Sequence, residues 1–426
     1  MKRAFSCFLS ILLFLSSFTQ TSVYPTIKEA NPESAAMSPD RLKRIDQLVN
    51  EYVNNKWIAG AAAIIVRDGK IVYYKGLGFD DIDKKIPMKR DEIFRIASQT
   101  KAITSTAVLI LYEEGKFLLD DPVSKYIPEF KNPKVVDKFN LADSSYTTVP
   151  AKREITIRDL LTHTSGIDYA VIGSKTMSAI YAKAGIPSGI DGGNRILGNE
   201  IKKLGVLPLA HQPGEKWTYG LNTDVLGYLV EVVSGMSLND FFKKRIFEPL
   251  GMNDTYFYIP AEKHKRLATL YTEDTLQHLM KSPPIQYGFH VDYPNLNGTY
   301  YSGGAGLSST PYDYAIFLQM ILNGGIYNGK RILSRNTIRM MTMNQIGDLY
   351  VGENKFGLGF SIATEKESAL LPAQAGTIAW GGYFNTSYWA DPKEKIIALI
   401  MTQMSPNSHG EIFDKFKVLV YQSIND

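Results

Sequence analysis

The chain has 426 residues, 44% of them hydrophobic and 21% charged, with a formal net charge of +4, enough for one large or two medium domains around a full core. No basic tail or polybasic face accompanies that small charge, so nucleic acid is not an expected partner. The single cysteine, Cys7, lies in the first apolar run, so a chain lacking that run has no disulfide, thiol nucleophile or thiolate metal site.

At the N-terminus Lys2 and Arg3 precede an apolar run from Ala4 to Phe18, followed by small and polar residues. That is the form of a secretory signal peptide over residues 1–22, with cleavage between Phe18 and Val23 and export to the periplasm or the medium. The run is shorter than the ~20 apolar residues of a membrane span, so no transmembrane span is expected after its removal. The mature chain is read as residues 23–426.

PDRLKRIDQLVNEYVNN, residues 39–55, carries apolar residues at helical spacing behind Ser38 as cap and Pro39 at the first position. AAAIIVRDGKIVYYKG then reads as two strands joined at Asp68-Gly69, a hairpin signal. Next, IASQTKAIT opens a helix near Ser98, with Ala102, Ala107, Val108, Leu111 and Tyr112 at helical spacing and Gly115 as terminator. Ser98 and Lys101, three apart, share one face of it. Taken alone the pair also fits an N-cap serine and an exposed lysine, and about two Ser-x-x-Lys matches are expected by chance in such a chain.

From about 115 to 345 the chain reads as helix-rich, interrupted by irregular stretches at 131–154 and 184–198 that fit either substrate walls or plain surface insertions. Strands return at GTIAWGG, YFNTSYWADP and KIIALIMTQ, before a last helix in EIFDKFKVLVYQSI. The expected fold is α+β: an antiparallel sheet flanked by N- and C-terminal helices, with an inserted, mostly helical domain. The sheet lobe would take about 38–95 and 346–426, the helical lobe about 96–345, and the groove between them a ligand.

A serine attacks a carbonyl only where something accepts its proton and something holds the oxyanion. The Gly-x-Ser-x-Gly elbow does not occur, nor does His-Glu-x-x-His. His163 and His211 have no partner motif around them and read as structural. No metal or organic cofactor is implied.

FRIASQTKAIT, ITIRDLLTHTSGI, PGEKWTYGLNTDVLGYLVEVVSGMSL, IFEPLGM, GGAGLSSTPYDYAIFLQMILNGG and WGGYFNTSYWADP resemble, in order, the successive blocks of the serine β-lactamase and penicillin-binding-protein superfamily, in its class C and family VIII carboxylesterase branch. The resemblance covers residue 38 to the C-terminus and implies a β-lactamase/transpeptidase-like fold. It makes Ser98 the nucleophile, Lys101 its neighbour in proton transfer and Tyr219 the tyrosine of the second motif. Whether Lys101 or Tyr219 is the base stays open. The third motif falls on Trp380-Gly381-Gly382, and the N–H groups of Ser98 and Tyr383 would form the oxyanion hole.

Two departures bear on substrate. Trp380 stands where relatives carry a cation that helps bind a carboxylate, and Asn222 sits one place late for the amide of the second motif. Both weaken lactam and peptide recognition and resemble the ester-cleaving members. The expected substrate site comprises Trp380, Gly381, Gly382, Asn222, Tyr301 and Gly304. The expected activity is a serine hydrolase working through an acyl-enzyme on small carboxylic esters. The rivals are a β-lactamase or D-alanyl-D-alanine carboxypeptidase that draws its cation from residues 184–198, and a penicillin-binding protein without turnover. Oligomeric state is left open.

Overall fold

The computed structural model describes residues 24–190, 193–286 and 288–426; the expected signal, residues 1–22, lies outside them. One nine-stranded sheet organises the molecule. Its strands are β1 (Lys28–Glu29), β2 (Gly60–Arg67), β3 (Lys70–Asp81), β4 (Ile86–Pro87), β5 (Lys355–Phe356), β6 (Ser361–Ile362), β7 (Ile378–Gly382), β8 (Thr386–Asp391) and β9 (Ile396–Met401). They lie in the order β1-β3-β2-β9-β8-β7-β6-β5, with β4 on β3. The β2–β9 pair joins the two ends of the chain, Ile64 opposite Leu399 and Val66 opposite Ile397. All pairs are antiparallel, as expected, except the two-residue β1 with β3.

Burial on both faces explains the apolar runs of the central strands. With a side-chain period of two, Ala63 and Ile65 of β2 and Ala398 and Ile400 of β9 pack on one face against α1 (Pro39–Asn54) and the C-terminal helix (Ile412–Tyr421), through Ile45, Tyr52 and Phe416. Ile64, Val66, Ile397 and Leu399 belong to the larger core on the other face, with Ile103 and Val108 of α2 (Thr100–Glu113) and Tyr314 of the helix Pro311–Leu322. The Ser38 hydroxyl caps α1 by accepting from the Arg41 N–H at 3.3 Å. Asp68 and Gly69 both take positive φ, as a two-residue hairpin turn requires.

Residues 131–154 contain a hairpin, Lys134–Phe139 paired with Tyr146–Pro150, where an irregular stretch was expected. The strands are mostly exposed and rich in Lys and Thr, so neither shows the alternation that marks a half-buried strand. Among the described residues no helix is long and apolar enough to cross a membrane.

Candidate active site

Ser98 stands in a single 3-10 turn, Ala97–Gln99, that leads into α2. Its side chain caps nothing. The turn is held from several directions: the Ile96 N–H donates to the Leu307 carbonyl at 3.1 Å, and the Tyr314 hydroxyl donates to the Gln99 carbonyl at 2.8 Å. Upstream, the buried Arg95 guanidinium donates to the carbonyls of Val291 and Ala268, both at 2.7 Å, and to Gln403 Oε1 at 3.0 Å. Ala97 is forced to φ 39°, a left-handed conformation that costs a residue with a Cβ about 1–2 kcal/mol. Strain of this kind persists only where the surroundings fix the backbone.

Lys101, one turn on from Ser98 and in the first turn of α2, is 2% exposed. Its Nζ lies 3.3 Å from Ser98 Oγ, 2.8 Å from the Tyr169 hydroxyl and 2.7 Å from the Gly304 carbonyl oxygen. The amine and the Ser98 hydroxyl are thus within hydrogen-bonding reach of each other, the geometry that proton transfer between them needs.

Tyr169 was missed in the sequence. It stands two residues past the THTSGI segment, in a loop without periodicity, and no spacing ties it to Ser98. Burial holds its phenol well above the ordinary range, with Tyr219 and Asp224 adding to the effect. The Tyr219 hydroxyl accepts from Trp380 Nε1 at 3.3 Å, and Lys101 Nζ lies over its ring, 4.6 Å from the centroid. Trp217 stacks on the same tyrosine at 5.9 Å.

The other expected residues divide. Tyr383 and Ser98 line one cavity with Tyr169, Ile172, Ile190 and Phe289, and the N–H of neither Ser98 nor Tyr383 is taken by a main-chain carbonyl among the described residues. Gly382 explains how β7 reaches the nucleophile: a Cβ there would lie 2.4 Å from the Ile96 carbonyl oxygen. At Gly381 the close neighbour is the adjacent strand, with a Cβ 3.1 Å from the Thr386 oxygen.

Asn222, Tyr301 and Gly304 are not among the residues that line this cavity. Asn222 is fully buried; its amide N–H donates to His163 Nδ1 at 3.0 Å and its carbonyl accepts from the Ser165 hydroxyl. An amide satisfied on both sides inside the protein has nothing left for a ligand. Tyr301 packs on Phe257 and Tyr258, and Ala305 lines the cavity from that loop. Gly304 gives its carbonyl to Lys101.

Both histidines are bonded within the protein. Burial, with Lys101 nearby, pushes His163 well below its usual range and keeps it neutral. His211 bonds Thr218 Oγ1 at 2.8 Å and the Gln212 carbonyl oxygen at 2.9 Å.

The family model described as Beta-lactamase matches residues 45–421. The chain belongs to the beta-lactamase family. Within that family it is a serine hydrolase, with the β-lactamase/transpeptidase-like fold. Esterase EstB of Burkholderia gladioli is 31% identical over 401 residues, covering 90% of this chain and 94% of EstB. An uncharacterized protein of Mycobacterium tuberculosis is 35% identical over 376 residues, covering 84% of this chain and 89% of its own. Among solved structures, EstCE1, described as a hydrolase with promiscuous acyltransferase activity, superposes with a TM-score of 0.75 at 28% identity, over 90% of this chain and 99% of its own.

For this beta-lactamase-family chain the cavity beside Ser98 is small, about 50 Å³, and walled by Val171, Ile172, Ile190 and Phe289. A broader groove of about 640 Å³ adjoins it past Ile172 and Tyr219, lined by polar groups including Asp137, Thr176 and Lys216.

Proposed function

We propose that the chain hydrolyses small, uncharged carboxylic esters through an acyl-enzyme on Ser98. The observation that carries this reading is the lining of the cavity: none of its described residues is charged. A β-lactam or D-alanyl peptide brings a carboxylate, which this uncharged cavity would penalise strongly, and the lysine of the adjoining groove, Lys216, shares its lining with the carboxylates of Asp137 and Asp168. Arg195, the cation that residues 184–198 offer, is instead engaged by Glu200 Oε2 at 3.4 Å and the Gly185 carbonyl at 3.3 Å. The likeness to EstB, an esterase by name, supports the same reading.

In the proposed mechanism the lone pair of Lys101 takes the Ser98 proton as Oγ bonds to the ester carbonyl carbon. The oxyanion is held by the N–H groups of Ser98 and Tyr383. When the tetrahedral intermediate collapses, the C–O bond to the alcohol breaks. Tyr169 donates its O–H to the departing alkoxide and is reprotonated by the Lys101 ammonium along their 2.8 Å contact. Water then attacks the acyl-enzyme, again giving its proton to Lys101, and Ser98 leaves with that proton as the acid is released. Tyr219, whose hydroxyl accepts from Trp380 Nε1, lies against Tyr169 with ring centroids 5.3 Å apart and helps keep that phenol protonated.

The test is turnover of a p-nitrophenyl ester series and of nitrocefin by the mature protein. Ester hydrolysis with little lactam turnover is expected; nitrocefin turnover comparable with that of short aryl esters would transfer the chain to the lactamase reading, and a single product burst without steady state to the binding-protein reading. The N-terminal segment supports export. A mature N-terminus between Phe18 and Val23 in periplasmic or secreted material is expected, and an uncut chain in the cytoplasm would contradict it.

A further inference from the structure

Behind Lys101 lies a buried carboxylate that the mechanism above does not use. Asp224, in the first turn of the helix Asn222–Ser234, is 0% exposed. Its Oδ1 accepts from the Ser302 hydroxyl at 2.5 Å and from the Gly304 N–H at 3.2 Å. Ser302 Oγ in turn accepts from the Ala305 N–H at 3.0 Å. That N–H and the Gly304 carbonyl are two ends of one peptide group, and the Gly304 carbonyl accepts from Lys101 Nζ at 2.7 Å.

Every link points the same way. The carboxylate polarises the Ser302 hydroxyl, the hydroxyl polarises the peptide, and the peptide carbonyl becomes a stronger acceptor for Lys101. Both ends are buried, so the field along the chain is little screened by solvent. The turn rests directly on the carboxylate: a Cβ at Gly304 would lie 2.4 Å from Asp224 Oδ2. On its other side the turn is tied to α2 by an uncharged bond, Thr104 Oγ1 to the Gly303 carbonyl at 2.6 Å.

We propose that Asp224 is a positioning residue for Lys101, acting through Ser302 and the 304–305 peptide to aim the amine at Ser98 and to stabilise the ammonium formed as Ser98 loses its proton. This rests on Lys101 being the base. The titratable groups facing the pair are Tyr169, which Lys101 touches and which the Asp224 charge helps keep protonated, Tyr219 under the lysine, Tyr300 beside Tyr169, and His163, held neutral by burial. Removing the negative charge leaves the ammonium formed in proton transfer less favoured, so the acid limb of the pH profile of kcat moves to lower pH.

The experiment measures kcat and KM for p-nitrophenyl acetate against pH, with the acid product quantified by chromatography, for the mature protein and Asp224→Asn, Ser302→Ala and Thr104→Val. Asp224→Asn is expected to lower kcat by about 10- to 100-fold with little change in KM, and to move the acid limb down by about one pH unit. Ser302→Ala should move it the same way by less, because the Gly304 N–H bond remains. Thr104→Val loosens the turn without touching the charge and should lower kcat with the limb in place. The proposal is overturned if the limb stays put in both Asp224→Asn and Ser302→Ala, or if Thr104→Val moves it as far. Should Asp224→Asn fail to fold, Ser302→Ala against Thr104→Val decides. Failure of the underlying esterase reading shows separately, as Ser98→Ala or Lys101→Met turning over the ester at the wild-type rate.

Discussion

The two walls of the cleft are built on opposite rules. On the Lys101 side the buried polar groups Lys101, Asn222, Asp224, His163 and Thr104 are hydrogen-bonded across elements up to 203 residues apart in sequence. On the other side Val171, Ile172, Ile190 and Phe289 offer only apolar surface, and Val171 and Ile172 are 58% and 57% exposed. A bonded wall fixes where protons go, because moving any member leaves a buried group unsatisfied. An apolar wall selects by shape, and each methylene gained or lost there is worth only about 1–3 kcal/mol. Substitutions on the first wall should therefore appear in kcat, and those on the second in KM and acyl preference.

Lys101→Met gives the largest expected contrast: about 10³- to 10⁴-fold lower kcat for a short aryl ester, with KM nearly unchanged, in steady-state kinetics. A drop confined to KM would erase the distinction between the walls. Gly382→Ala comes next, because the added methyl drives β7 away from Ile96 and with it the Tyr383 N–H. A loss of about 10²- to 10³-fold in kcat is expected, the scale of one oxyanion donor. Normal kcat in a folded Gly382→Ala protein would remove Tyr383 from the oxyanion hole.

Phe289→Ala tests the apolar wall. It should leave kcat for the acetate ester within a few-fold while raising kcat/KM for the octanoate ester relative to acetate by about tenfold, read from an acyl-length series. A uniform fall in kcat across the series would mean that this wall also sets the chemistry. The smallest effect concerns stability. His163 is held neutral in the folded chain, below its unfolded value near 6.5. Its contribution is thus present above about pH 6.5 and lost as pH falls toward the folded value, because the unfolded chain then binds the extra proton. Thermal melts from pH 7.5 to 5 should show a decline that His163→Gln reduces; identical slopes would remove His163 from the account.

Sequence legibility followed the same division. The Ser98–Lys101 pair could be read because a helix turns an interval of three residues into a shared face, and the central hairpin because Asp68-Gly69 demands positive φ. The three C-terminal strands were visible as apolar, β-branched runs between turns. What escaped was decided across the chain. Tyr169 reaches Lys101 from a loop 68 residues away, and no local pattern announces it. Asn222 looked like a displaced substrate contact because its partners, His163 and Ser165, lie 59 and 57 residues earlier. Exposed polar strands hid the 134–150 hairpin, since their pairing is set by backbone bonds and not by a buried face.

Trapping the acyl-enzyme decides most directly whether Ser98 is the nucleophile. The mature protein, mixed with p-nitrophenyl acetate and quenched in acid during turnover, would be digested and analysed by mass spectrometry, alongside Ser98→Ala. One acetyl group on the peptide carrying Ser98, absent from the variant and released in step with acetate production, is predicted. Acetylation of another residue on the turnover pathway, or ester hydrolysis that survives in Ser98→Ala, would contradict it.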